Sequence, residues 1–277
     1  VTAARRGTDV AIVLPLLRQR DAWLEQAVGS ALAQTVACEV IVVTSPLTPP
    51  SNFDVLQAAG RRAPGRLAVV RRTDLGFPAA VNSGIARARA SRIGLLFSDD
   101  WLEPTAVEDC VGLDADVVSS GHTDFAADGT RLSRLSRTPL RAVYERLPDL
   151  EAKATYLTHF FLLDKSAVEA AGGLDESLGD APGIDDYDLI WTLLERGASV
   201  ALTERPLYNY RVHDGERLTH RDGGEQLRVL ERILDKHGLR GAARARAIEA
   251  HARWFGRPED VVVDALGLHR GEGGREA

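Results

Sequence analysis

Within the first 98 residues short apolar runs alternate with segments of helical period, and that alternation restricts the chain to few architectures. DVAIVLP (residues 9–15), CEVIVV (38–43), RLAVVRR (66–72) and RIGLLF (92–97) carry apolar side chains at most positions, as strands buried on both faces do. Between the first two, RDAWLEQAVGSALAQ (20–34) sets Trp23, Leu24, Ala27, Val28, Ala31 and Leu32 on one helical stripe. NFDVLQAAGRRA (52–63) and FPAAVNSGIARARA (77–90) fill the later intervals. Units of strand, helix and strand at this spacing need crossover connections. The expected fold is therefore α/β, a mostly parallel sheet flanked by helices. The 277 residues allow one such domain with an appendage.

The second half is less regular. PTAVEDCVGLDA (104–115) opens a helix at its proline, and DVVSSGHTDFAADGT (116–130) reads as two short strands closing on a turn at Asp128–Gly129. Residues 131–150 read as a loop over the site. IDDYDLIWTLLERG (184–197) is an amphipathic helix with acids at its start and Gly197 as its stop. The boundaries that follow are 1–221 for the main domain, with halves 1–98 and 99–221. Residues 222–268 form a helical appendage and 269–277 a disordered tail. The appendage is expected to cover the sheet; a homodimer contact and a membrane-surface contact are the other readings.

Charge and cysteine narrow the partners. A net charge of −6, from 34 basic and 40 acidic residues, argues against nucleic acid as the main partner. No apolar run approaches membrane-spanning length. VTAARRGTDVAIVLPLL is read as a terminus leading into the first strand, since Asp9 interrupts what would otherwise resemble an export signal. Cys38 and Cys110 are expected to be reduced buried thiols, which fits a cytoplasmic location, either free or at the inner membrane surface.

Several chemistries are missing. PLLRQRD after the first strand contains no G-x-G-x-x-G, and G-x-x-x-x-G-K-[ST], G-x-S-x-G and H-E-x-x-H do not occur. What remains is rich in carboxylates. Asp99 and Asp100 follow the strand 92–97, and ligands of open α/β sheets bind beyond the carboxyl ends of strands. Such a pair suits a hard divalent ion, Mg²⁺ or Mn²⁺, shared with a substrate diphosphate. The same pair also suits a plain surface turn capping the helix at Pro104. Asp185, Asp186 and Asp188 open a helix whose dipole alone would favour acids, yet three exceed what capping needs, and one is available as a general base. In YRVHDG, Arg211 is a candidate for phosphate and His213 a candidate third metal ligand. Gly76 permits close backbone approach or simply makes a turn, and Asn82 with Ser83 offers hydrogen bonds.

Taken in order, these segments resemble the inverting, family-2 glycosyltransferases of the GT-A fold, over about residues 9–221. RRTDLGFPAAVNSGIARA resembles that family's E-N-x-G…A-x-N-x-G segment and FSDDWLEP its D-x-D region. AAGGLDE is similar to its G-G-F-D-E turn, DDYDLIWTLLERG to its E-D-x-D-L helix, and RPLYNYRVHDG to its closing strand with R-x-H. Two segments depart from the family: PLLR, from Pro15, replaces P-x-Y-N, and TSPLTPP, with Thr44 and Ser45, replaces D-D-G-S where the base is contacted.

The resemblance implies a GT-A-type, Rossmann-like sheet and transfer of a sugar from a nucleoside-diphosphate-sugar to an acceptor hydroxyl. It implies Mn²⁺ or Mg²⁺ at Asp100, with Asp99 and His213. It implies donor contacts at Pro15, Thr44, Ser45, Gly76, Asn82, Asp99 and Arg211, the roles of Asp99 and Asp100 being exchangeable. Asp186 would be the general base, with Asp185 the second choice. Trp101, Asp188 and His159 fall on the acceptor side, with support of helix and site geometry the other reading of Asp188 and core packing that of residues 159–161, and the acceptor is a glycan, a lipid-linked sugar or a small molecule. The competing reading is a catalytically silent homologue that binds sugar nucleotides. A nucleotidyltransferase would carry a Gly- and Lys-rich loop after the first strand, and PLLRQRD is not one.

Overall fold

A computed structural model describes residues 9–132, 137–178, 184–213 and 223–252. The first half follows the alternation of its sequence: β1 (Val10–Leu16), α1 (Asp21–Leu32), β2 (Glu39–Thr44), α2 (Pro50–Arg62), β3 (Leu67–Arg71), α3 (Phe77–Arg87) and β4 (Arg92–Leu95). The order β3-β2-β1-β4 is parallel throughout. Every residue of β1 is buried, because helices cover both faces of the sheet. Ala11 and Val13 pack in one core with Val81 and Ile85 of α3. Val10, Ile12, Leu14 and Leu16 pack in a second core with Leu24 and Val28 of α1 and Leu56 of α2. Each fully buried side chain of this size contributes about 1.5–3 kcal/mol of transfer free energy, so the central strands anchor the molecule.

The second half extends the same sheet. Its elements are β5 (Trp101–Leu102), α4 (Ala106–Val111), β6 (Val117–Ala126), α5 (Arg141–Tyr144), α6 (Leu150–Tyr156), β7 (Phe161–Asp164), α7 (Lys165–Ala171) and a 3₁₀ turn (Glu176–Leu178). After these come α8 (Asp185–Glu195), β8 (Val200–Val212), α9 (Gly223–Lys236) and α10 (Gly241–Ala252). Among the described residues the sheet has eight strands in the order β3-β2-β1-β4-β7-β6-β8-β5. Strand β7 is antiparallel to β4 and β6, and β5 is antiparallel to β8, whereas β6 and β8 are parallel. The expected α/β class with a mixed, mostly parallel sheet is what forms.

This topology decides what meets at the site. Because β6 and β8 run in the direction of β4, the carboxyl end of β8 lies on the same edge of the sheet as Asp99. Because β7 runs the other way, the residues preceding it, including His159, arrive at that edge too.

Two details differ from the sequence reading. Residues 117–126 form one strand with an irregularity near Gly121. Among the described residues, the arm returning from the turn at Asp128–Gly129 pairs with that strand through the bridges Phe125↔Arg131 and His122↔Arg137. The stretch expected to be a loop contains the short helix α5. Gly197, the expected stop, has φ 82°, and Ala198 N–H closes the helix end on Leu193 O at 3.0 Å. Both cysteines are buried and free; burial pushes the Cys110 thiol up to about 12. Helices α9 and α10 bury Leu230, Ile233, Leu234 and Ala247 in the core that contains α8. The tail 269–277 lies outside the described residues. Among the described residues no helix is long and apolar enough to cross a membrane.

Candidate active site

The two adjacent acids after β4 point into different surroundings. Asp100 is 1% exposed, and both its oxygens accept hydrogen bonds from β8: Oδ2 from the Tyr208 hydroxyl at 2.7 Å and Oδ1 from Arg211 N–H at 2.6 Å. Burial, then the negative charge of Asp100, pushes the Tyr208 phenol well above its ordinary pKa, so it stays protonated and donates. Tyr208 oxygen also accepts Phe97 N–H at 3.2 Å. Asp100 thus fastens the turn after β4 to a strand more than a hundred residues later.

Asp99 is partly exposed, and its Oδ2 lies 3.0 Å from His213 Nε2, beyond the end of β8. This carboxylate–imidazole pair is one oxygen and one nitrogen donor at a strand end. Among the described residues no group of three or more His, Cys, Asp or Glu side chains is placed to hold a metal. Among the described residues the donors for a divalent ion are this pair, and substrate oxygens would complete the coordination, the way Mg²⁺ and Mn²⁺ sit on nucleotide diphosphates.

Arg211 faces inward. Its Nε donates to Asp99 O at 2.8 Å, its Nη1 to Ala127 O at 3.3 Å and its Nη2 to Gln26 Oε1 at 2.5 Å. The guanidinium lies between two indoles, 4.8 Å from the Trp23 ring centre and 4.7 Å from that of Trp101. In the unliganded protein Arg211 shapes the turn that carries Asp99. Trp101 also packs on Phe125, with ring centres 4.7 Å apart.

At the same edge, the first turn of α8 carries Asp186. Its Oδ2 lies 3.1 Å from His159 Nε2 and its Oδ1 accepts Tyr187 N–H at 3.0 Å. Burial raises this carboxyl's pKa, but the hydrogen bond and attraction of His159, with backbone N–H groups, outweigh it and hold the value below normal. His159 is gripped edge-on by Phe97 and Phe161, both at 5.1 Å, and lies 5.3 Å from the Tyr208 ring. One chain of contacts therefore runs Asp100–Tyr208–His159–Asp186. His159, expected on the acceptor side, holds Asp186.

The remaining expected residues have local duties. Asp185 is buried beside Asp186. The carboxylate of Asp188 is directed to α9, with Lys236 Nζ at 2.7 Å and His237 Nε2 at 3.0 Å, and it is not presented to an acceptor. Asn82 binds both the N–H and the C=O of Leu174 at 2.9 Å, tying α3 to the glycine turn after α7. A side chain on Gly173, at φ 75°, would collide with Asn82. Gly76 has φ 128°, a conformation glycine supplies without strain as α3 begins. Pro15 pairs opposite Val43 in the sheet, and Thr44 Oγ1 donates to Val70 O at 3.3 Å. Ser45 Oγ donates to Leu17 O at 3.3 Å, and Thr48 Oγ1 reaches Leu17 O at 2.9 Å. The substituted segment TSPLTPP thus buttresses the loop after β1. Buried Asn52 adds to this, accepting from Gln19 N–H at 3.0 Å and donating to Gln19 O at 2.8 Å.

Sequence reasoning missed Tyr208, Trp23, Gln26 and Asn52. Only Tyr208 left a signal, a tyrosine in the strand that ends in R-x-H. The others lie on helices whose apolar stripe hides their second role.

Residues 11–172 match the model of glycosyl transferase family 2. The O-antigen biosynthesis protein RfbC of Myxococcus xanthus is 27% identical over 76% of this chain, which spans 16% of that protein's length. The putative glycosyltransferase EpsH of Bacillus subtilis is 21% identical over 74% of the chain, which spans 62% of its length. The crystal structure of S. aureus TarS 1–349 in complex with UDP-GlcNAc superposes with a TM-score of 0.63 at 12% identity, over 96% of this chain and 74% of that one.

Proposed function

This chain belongs to glycosyl transferase family 2, and on that premise we propose that it moves a sugar from a nucleoside-diphosphate donor to an acceptor hydroxyl, inverting the anomeric centre. The observation that carries the reading is the chain of contacts from Asp100 through Tyr208 and His159 to Asp186, which brings a donor-side acid and a base-side acid to one edge of the sheet.

The acceptor oxygen forms its bond to the anomeric carbon while the bond from that carbon to the diphosphate oxygen breaks, and the carbon passes through an oxocarbenium-like state. The hydroxyl proton goes to Asp186, which its depressed pKa keeps ionised near neutrality. His159 fixes the orientation of that carboxylate. Asp99 and His213 would hold Mn²⁺ or Mg²⁺, which when bound supplies positive charge opposite the departing diphosphate. Arg211 and Asp100 hold the backbone that carries Asp99. UDP-sugars are the first donors to try, since TarS was crystallised with UDP-GlcNAc.

A thermal-shift screen of UDP-, dTDP- and GDP-sugars with Mn²⁺ identifies the donor, and Asp186→Asn then tests the base. Donor binding is expected to survive while turnover falls about 10²–10⁴-fold. Wild-type turnover in that variant would remove Asp186 from the role.

A further inference from the structure

We propose that the end of α9 is a positioning brace for the catalytic helix: Lys236 and His237 hold the first turn of α8 through Asp188, and so keep Asp186 against His159. The proposal rests on the reading of Asp186 as the base.

At 100° per residue, Asp186 and Asp188 point about 200° apart on α8, so one faces His159 when the other faces the end of α9. On that second face Asp188, Trp191 and Glu195 follow one another at spacings of three and four, and His237 touches all three. Its Nε2 lies 3.0 Å from Asp188 Oδ1 and its Nδ1 2.9 Å from Glu195 Oε2; its ring stacks on Trp191 at 4.0 Å with a 7° tilt. Lys236 completes the other oxygen of Asp188 at 2.7 Å and reaches Asp175 Oδ2 at 3.0 Å. Asp175 belongs to the glycine turn that Asn82 secures from α3. Burial lowers the Lys236 pKa, but its hydrogen bonds to Asp188 and Asp175 outweigh that and raise it, so the cation persists through neutral pH.

A cover for an apolar face needs only Leu230, Ile233 and Leu234, all fully buried. The polar grip at the end of α9 is additional and falls on the turn that carries Asp186. Tyr187, between the two acids, is held as well: its hydroxyl donates to Glu151 at 3.1 Å and its ring packs 4.6 Å from His251 of α10. The start of α8 gets no help from its own cap, since Ile184 makes no side-chain capping bond. Asp175, Asp188, Trp191, Glu195, Lys236 and His237 lie beyond residue 172, where the family match ends, whereas Glu151 and Asn82 lie within it.

The test uses the full chain with His237→Leu, which keeps bulk and removes both ring nitrogens, and His237→Gln, which returns a donor toward Asp188. Amide exchange over residues 185–190 is expected to accelerate about tenfold or more in H237L, with β1, β2 and β4 unchanged. The ¹⁵N shift of His159 Nε2 should move as its bond to Asp186 loosens, and H237Q should restore both readouts. Unchanged local exchange, acceleration spread equally over the sheet, or an unmoved His159 signal overturns the proposal. If H237L does not fold, Lys236→Met is read by the same two signals. Wild-type turnover in Asp186→Asn would sink the base reading separately, whatever the exchange data show.

Discussion

His159 Nε2 lies 3.1 Å from Asp186 Oδ2, joining the residue that leads into the antiparallel strand β7 to the first turn of α8. The pair sets the charge state of the proposed base. Burial alone would raise the Asp186 pKa, and His159 is the leading reason that it is lowered instead. A depressed carboxyl contributes stability above its unfolded pKa and loses it as pH falls through the folded value. His159→Leu leaves burial opposed only by the backbone N–H groups, so the acid limb of the kcat/KM profile should shift upward relative to wild type. A pH–rate profile of the two proteins checks the direction.

Tyr208→Phe removes the donor to a buried carboxylate. A hydrogen bond to a charged group contributes about 1.5–3 kcal/mol, and for a chain of this size that corresponds to a fall in Tm of about 3–12 °C. Calorimetry would measure it, and an unchanged Tm would show that Asp100 does not depend on Tyr208.

Arg211→Lys keeps the charge and loses the fork between two indoles. Lysine cannot reach Asp99 O, Ala127 O and Gln26 together, so the substitution should cost about 2–4 kcal/mol. Urea unfolding reads this directly. A phosphate-binding role alone would leave the unliganded protein as stable as wild type.

Asp99 and Asp100 should separate in a metal experiment. Wild-type protein should gain Tm with UDP and Mn²⁺ together, by linkage to binding. Asp99→Ala should lose most of that gain with little change in the unliganded Tm, whereas Asp100→Asn should lower the unliganded Tm itself. The reverse pattern would return the metal to Asp100.

Much of the architecture was legible from burial patterns, because a strand covered on both faces and a helix covered on one leave local signatures of period and composition. β1 to β4, the stripe on α1 and the stop at Gly197 were all readable for that reason. The turn at Asp128–Gly129 was readable as well, and the described ends of its return arm pair through the bridges Phe125↔Arg131 and His122↔Arg137.

The amino-acid sequence by itself determined the layers of this protein and the supply of acids at strand and helix ends. Only the tertiary structure decided which acid meets which partner. Asp99 and Asp100 are neighbours, yet one is buried under Tyr208 and the other lies open beside His213. Asp186 and Asp188 share a turn, yet one meets His159 and the other Lys236 and His237. Periodicity reports which side of an element is covered. It carries no record of what covers it, because the partners come from β8, β7 and α9, elements far away along the chain that the sheet topology brings to one edge.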